Sequence, residues 1–339
     1  MDLINGKVEL MHGSGGRAMG ELLKEIFFPA FDNEYLRQGN DQALFPVSGR
    51  RMVMTTDSHV ISPLFFPGGD IGKLAVNGTI NDIAMGGAVP LYLSAGFIIE
   101  EGFPLADLQK IALSMGKAAK DAGVPIVTGD TKVVEKGKGD GVFINTAGVG
   151  TVPEGIELSG NKPRKGDAII LSGTIGDHGV AVLSCREGME FTTNVVSDTA
   201  PLHRLVRAMV AAAPGKIKCL RDPTRGGLSA VLNELATQAK TGMLIKEKSV
   251  PILPEVKAAC DFLGFDAFNL ANEGKLVAIC APEAADTLVK AMHHSPLGRQ
   301  AAVIGEVVDD ENHLVRVETV SGGVRVMDWL YGDQLPRIC

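Results

Sequence analysis

From Arg51 onward the chain alternates strand-like and helix-like segments, and this alternation restricts the fold more than any other feature. RMVMTTD reads as a strand and IGKLAVNGTINDIAMGGA as a helix with late glycines. YLSAGFIIE is the next strand, LADLQKIALSMGKAAKDAG a helix stopped by Gly123, and VPIVTGD and VFINTAGVGTV two further strands. The polar stretch PEGIELSGNKPRKGD, with its Pro and Gly, marks a domain boundary near residue 160. A second unit starts at DAIILSG, with helices expected around 177–186, 199–213 and 226–240 and strands at GMLIKE, KLVAIC and AAVIGEVV. The expectation is two α/β (α+β) domains, 41–160 and 161–328, after an irregular glycine-containing segment 1–40. Residues 329–339, with Gly332 and Pro336 and no periodicity, read as a mobile tail.

The 339 residues agree with two domains, and 45% hydrophobic against 22% charged residues is the balance of a soluble globular chain. A net charge of −7 argues against a nucleic-acid binder, which would concentrate Lys and Arg on one face. No apolar run approaches the ~20 residues that span a bilayer, and the N-terminus lacks the basic and apolar regions of a signal peptide. The five cysteines form no CxxC pair, so a reducing cytoplasm is the expected setting. Cys185, Cys219, Cys260 and Cys280 lie in apolar or helical stretches and read as inert core thiols, whereas Cys339 ends the chain.

Neither a P-loop nor a dinucleotide-binding glycine fingerprint is present. The aspartates offer another way to hold a nucleotide. Asp57 follows the run Val53 to Thr56, and Asp130 ends the run Ile126 to Gly129. Asp82 sits on a small-residue helix with Asn77 and Asn81, Asp41 lies in GNDQALF, and Asp222 opens DPTRGG. Carboxylates at element ends suit Mg²⁺ bridging polyphosphate oxygens, but a strand-end or turn aspartate is most often an ordinary cap or Asx-turn residue. HGSGG (His12 to Gly16) could wrap phosphate with backbone N–H groups or be a plain turn. TRGG (Thr224 to Gly227) is either an anion site at a helix N-terminus or a loop-to-helix junction.

Together, and in this order, HGSGG, TTDS, PLFFPGGDIGKLAVNGTINDIAMGGAVPLYLS, VTGDTKVV, FINTAGVG, SGTIGDHG, RDPTRGG, NEGKLV and the terminal PRIC resemble the HypE family of hydrogenase maturation factors. That family is one branch of the PurM-like superfamily, with aminoimidazole ribonucleotide synthetase, selenophosphate synthetase and thiamine-monophosphate kinase. The resemblance implies a two-domain fold, a homodimer formed through the first domains, and ATP in a groove between the two domains. It implies Asp41, Asp57, Asp82, Asp130 and Asp222 as Mg²⁺ ligands. Superfamily members often carry paired acids where this chain has Asn40-Asp41. ATP contacts are implied at Gly13, Ser14, Gly15, Gly16, Thr56, Asn77, Gly129, Thr131, Thr224, Arg225 and Gly226. Lys132 and Glu273 match positions beside the reacting group.

The implied reaction is ATP-dependent dehydration of an S-carbamoyl group on Cys339 to a thiocyanate, the source of a hydrogenase cyanide ligand. The implied partners are the carbamoyltransferase HypF and the HypC–HypD scaffold. A tail from about Trp329 can reach roughly 40 Å, enough to enter a central groove and leave it. A selenophosphate synthetase would use a cysteine near the N-terminus, and no cysteine precedes Cys185. A small-molecule kinase of the superfamily gives no reason for a terminal PRIC, and neither it nor a nucleotide-sensing assembly protein with a docking tail accounts for the metal-ligand motifs and the tail together.

Overall fold

The computed structural model describes residues 16–22, 24–25, 36–40, 43–47, 49–186 and 193–329. Gly13, Ser14, Gly15, Asp41 and Cys339 with its tail therefore lie outside the described residues, and α1 (Gly16–Leu22) opens the described chain.

The first sheet contains β1 (Ala43–Val47), β2 (Arg50–His59), β5 (Val89–Glu100), β6 (Ile126–Val134) and β7 (Val142–Val152), in the order β1-β2-β7-β5-β6. Its pairs are antiparallel except β5 with β6, which are joined through the crossover helix α3 (Leu105–Ala122). A two-residue ladder, β3 (Phe65–Phe66) with β4 (Gly69–Asp70), leads into helix α2 (Ile71–Met85). Asp70 caps α2 by accepting the N–H groups of Gly72 and Lys73 at 2.7 and 3.0 Å. Helix α2 is apolar or small on nearly every side and is correspondingly buried on nearly every side, as a central helix must be. Helix α3 is amphipathic, buries Ile111, Met115, Ala118, Ala119 and Ala122, and ends at Gly123 in the left-handed conformation.

The second sheet has seven strands in the order β14-β13-β10-β12-β8-β11-β9. They are β8 (Ala168–Leu171), β9 (Ile217–Arg221), β10 (Gly242–Lys246), β11 (Val277–Cys280), β12 (Ala302–Val308), β13 (Val315–Glu318) and β14 (Val324–Val326). Around it lie α4 (Asp177–Leu183), α5 (His203–Ala212), α6 (Gly227–Ala239), α7 (Pro254–Leu263) and α8 (Ala285–His293). Strands β8 and β11 are buried at every residue, which explains their unbroken apolar runs.

The two halves share their cores. Val182, Leu183 and Ala271 pack into the cluster of the first half, and Ala84 and Met85 into one of the second. Asn81, buried on α2, stitches the seam: its amide donates to the carbonyls of Ala200 and Glu273, and its oxygen accepts Leu202 N–H at 2.8 Å.

Three sequence expectations need correction. Asp57 and Asp130 do not follow or end their strands but sit inside β2 and β6, because each strand runs on past the first turn-like residues. Cys185 is exposed, since it lies just beyond the last turn of α4. Cys260 and Cys280 are core thiols as expected, and burial pushes them up to about 11 and about 12.

Candidate functional site

The seam beside α2 collects most of the described site residues. Asp57 points from β2 toward α2, with Oδ2 3.2 Å from His59 Nε2 and Oδ1 3.9 Å from the Arg225 guanidinium. Helix and strand come this close because position 78 is glycine. A Cβ there would stand 3.1 Å from His59 Nε2 and 3.3 Å from Asp57 Oδ2. Burial would raise the Asp57 pKa, but His59 first and then Arg225 outweigh it and bring it down to about 2. Asp82, further along α2, accepts the Thr55 hydroxyl at 2.8 Å, one residue before Thr56.

Across the seam, Asp222 follows the end of β9 and is buried. Thr224 and Arg225 come next, and Gly226, in the left-handed conformation, is the residue from which α6 starts without a side-chain cap. The DPTRGG turn is tied to the NEG turn by Asn272, whose backbone and side-chain N–H groups both reach the Pro223 carbonyl at 3.0 Å. Glu273 is thereby brought to the seam, 4% exposed. Its pKa is raised well above the usual carboxylate range by burial and by repulsion from Asp57, Asp198 and Asp222, with Arg225 offsetting part of this.

Three buried polar atoms here have no partner: Glu273 Oε1, His59 Nδ1 and Asn77 Oδ1, the Asn77 amide being spent on the Thr199 hydroxyl. Orphaned acceptors among several carboxylates call for a cation or a donor-bearing ligand. Among the described residues no group of three His, Cys, Asp or Glu side chains makes a complete metal cage. Magnesium does not ask for one: it takes one or two carboxylates and fills its shell with water and phosphate oxygens. The seam fits Mg-nucleotide on those terms.

Asp130 and Lys132 lie elsewhere. Register aligns Asp130 with Gly96, Gly96 with Asn145 and Asn145 with Ser58, a row on the sheet face away from α2. Asp57 belongs to the neighbouring row, with Thr146, Ala95 and Gly129, which faces α2. Three strand spacings also separate β2 from β6, about 14 Å. Within one chain Asp130 and Asp57 cannot hold the same ion. Lys132 Nζ instead bridges both oxygens of Asp130, at 2.8 and 2.6 Å, in full view of solvent. Thr56 shares this outer face and is hydrogen-bonded to Asn145. Gly129 and Thr131 flank Asp130 on the exposed edge strand, and Gly129 also has a structural reason: a side chain there would collide with the Ala95 carbonyl. Gly16, the described residue of the N-terminal glycine cluster, begins α1.

Sequence reasoning missed His59, Asp177, Asp198 and Lys275. Lys275 and Asp177 lie inside NEGKLV and SGTIGDHG, so the signal was present as two motifs with no stated role; Asp198 lies in none.

Family models for AIR synthase related protein match the chain over residues 39–152 (N-terminal domain) and 164–318 (C-terminal domain). A carbamoyl dehydratase HypE of Rhizobium leguminosarum bv. viciae is 63% identical over 339 residues, covering 100% of this chain and 97% of the relative. The solved structure of a HypE–HypF complex superposes with a TM-score of 0.86 at 50% identity, covering 91% of this chain and 99% of that one. A HypE solved in complex with ATP gives 0.82 at 46% identity, covering 98% and 100%. With this identity sustained from end to end, the chain belongs to the carbamoyl dehydratase HypE family of PurM-like enzymes.

Proposed function

We propose that this enzyme dehydrates an S-carbamoyl group on its own Cys339 to a thiocyanate at the expense of ATP, supplying cyanide to the iron of a [NiFe]-hydrogenase. The observation that carries the reading is Glu273, a buried carboxyl with an unpartnered oxygen, set among Asp57 and Asp222 where the two domains meet. A proton acceptor in a water-poor seam is what removal of an amide N–H proton requires.

The carbamoyl oxygen attacks the γ-phosphorus of ATP, ADP departs, and one N–H proton is lost as the imidate phosphate forms. A base then takes the remaining N–H proton, the C–O bond breaks, phosphate leaves, and sulfur is left carrying C≡N. Glu273 is the proposed base. Burial and the neighbouring aspartates favour its neutral form, and a cation held by Asp57 and Asp222 would offset that repulsion and free the carboxylate. Magnesium, when bound, neutralises the triphosphate. Arg225, half in solvent beside Asp57, is placed to meet phosphate oxygens, with Asn77, Thr224 and the Gly226 backbone lining the same seam.

The outer face of the first sheet supports a homodimer. Met54, Tyr92, Ile98, Val127 and Val133 are exposed there or on its edge strand, an apolar surface of the kind that a second copy covers. Asp130 and Lys132 would then lie at or near that interface, within reach of a reacting centre that their own Asp57 does not share. HypF is the proposed source of the carbamoyl group and HypC–HypD the acceptor of cyanide. Among the described residues no helix is long and apolar enough to cross a membrane, in keeping with work in the cytoplasm.

The test is the intact mass of the C-terminal peptide after treatment with HypF and carbamoyl phosphate, then Mg-ATP. A carbamoyl adduct on Cys339 that loses one water only with ATP is the expected result. An adduct that forms and never loses water would overturn the dehydration.

A further inference from the structure

Glu273 is positioned through its backbone. Its N–H donates to Asp198 Oδ1 at 3.0 Å, and its carbonyl accepts the Asn81 amide at 3.2 Å. Gly274, next in the chain, packs so tightly on the Asp198 carbonyl that any side chain would collide with it. The second oxygen of Asp198 accepts Lys275 Nζ at 3.0 Å, and the same ammonium reaches Asp177 Oδ2 at 3.2 Å. The Thr174 hydroxyl donates to that Asp177 oxygen as well. Position 173 is glycine, and a Cβ there would press on Lys275 Cε at 2.9 Å.

The ammonium and both carboxylates are almost wholly out of water, with side chains 11%, 9% and 5% exposed for Lys275, Asp177 and Asp198. Burying three charges is expensive, and apolar side chains of similar volume would commonly hold a fold as well or better. The arrangement does one thing that apolar packing would not: it fixes Asp198 so that one oxygen is free to hold the Glu273 N–H.

We propose that Lys275 is a positioning residue for Glu273: by clamping Asp198 against Asp177, it orients the turn that aims the Glu273 carboxyl into the seam. The inference rests on the reading of Glu273 as the base, and it gives the NEGKLV and SGTIGDHG motifs a shared purpose. The charged bridge touches neither nucleotide nor carbamoyl group in this account. Its removal therefore slows the proton transfer and leaves substrate binding alone.

The experiment is single-turnover dehydration of carbamoylated full-length protein, read by peptide mass, for Lys275→Met, Asp177→Asn, Glu273→Gln and the double variant Lys275→Met/Glu273→Gln. Lys275→Met is expected to slow dehydration about 10–100-fold, the usual effect of losing a partner that orients a reacting group. The KM for ATP and the extent of carbamoylation by HypF should stay within about twofold of wild type, since the group acts on orientation rather than on uniform binding. The double variant should be no slower than Glu273→Gln alone, because the two side chains act as a unit. If Lys275→Met does not fold, Asp177→Asn carries the test, as it removes one end of the clamp and keeps the Lys275–Asp198 pair. Wild-type rates in the folded clamp variants, or losses that multiply in the double variant, overturn the proposal. A wild-type rate for Glu273→Gln also overturns it, since nothing would then be positioned. Failure of the wild-type protein to dehydrate at all would instead remove the underlying function.

Discussion

Lys275 sits between Asp177 and Asp198 with 11% of its side chain exposed, whereas Lys132 lies against Asp130 with both side chains about 70% in water, at 69% and 71%. Their N···O distances are alike, 3.0 and 2.6 Å for the shorter contact of each. The surroundings differ. In the interior, the cation and its carboxylates lose their hydration and depend on each other for charge neutralisation, so removing one strands the rest. At the surface, water and salt replace either partner at little cost. A short ion pair is therefore evidence of organisation in the seam and evidence of little on the sheet face. In the proposed homodimer, that freedom would let Asp130 and Lys132 turn to a ligand or to the second copy.

The sharpest way to separate the two regions is through Glu273. Glu273→Gln should slow dehydration by about 10²–10⁴-fold, the range of a lost general base, while raising the thermal midpoint because a repelled buried carboxyl is gone. Normal dehydration measured by peptide mass would take Glu273 out of the chemistry. Lys275→Met should cost about 3–5 kcal/mol in urea unfolding, the penalty of leaving buried carboxylates unpaired. A loss no larger than that of Lys132→Met would erase the contrast. Asp57→Asn should lower ATP-dependent dehydration by about 100-fold, in line with the several kcal/mol that a metal site supplies. Rescue by excess magnesium would locate the defect in metal affinity, and an unchanged rate would exclude Asp57 from the site.

The pH dependence of stability gives a smaller effect with a definite sign. The Asp198 pKa is lowered: burial raises it, but Lys275 and then His178 outweigh that. Its stabilisation is therefore complete above the unfolded value near 3.9 and is lost as pH falls through the lower folded value. Lys275 is raised by Asp198 and Asp177 against the opposing effect of burial. Its share is complete below the ordinary lysine value and is lost as pH rises through the raised one. Asp198→Asn should remove its part of the acid limb of a stability–pH curve, and an unaltered limb would contradict the clamp. Smallest of all, Lys132→Met should leave stability close to that of the wild type, as expected of a solvent-exposed pair. A marked loss in the isolated chain would mean that the outer pair is structural.

Much of this was legible beforehand. The alternation of segments located α2, α3 and most strands, because burial on one face leaves a period in the sequence and burial on all faces an unbroken apolar run. DPTRGG carried a local mark, a Pro- and Gly-bearing turn before a helix, whereas NEG was picked out only by the resemblance. The depth of Glu273 was not legible: two residues before Lys275, it looks like half of a surface pair. Nor was the separation of Asp130 from Asp57, since both follow Thr- and Val-rich runs that look alike until strand order and face are known.

The sequence by itself determined the family, the two-domain α/β character and the candidate residues, since these depend on residue identity and on local periodicity. The tertiary structure decided which candidates share a site. The position of a carboxylate in a sheet depends on pairing between strands distant in the chain, and its charge state depends on how much water those pairings exclude.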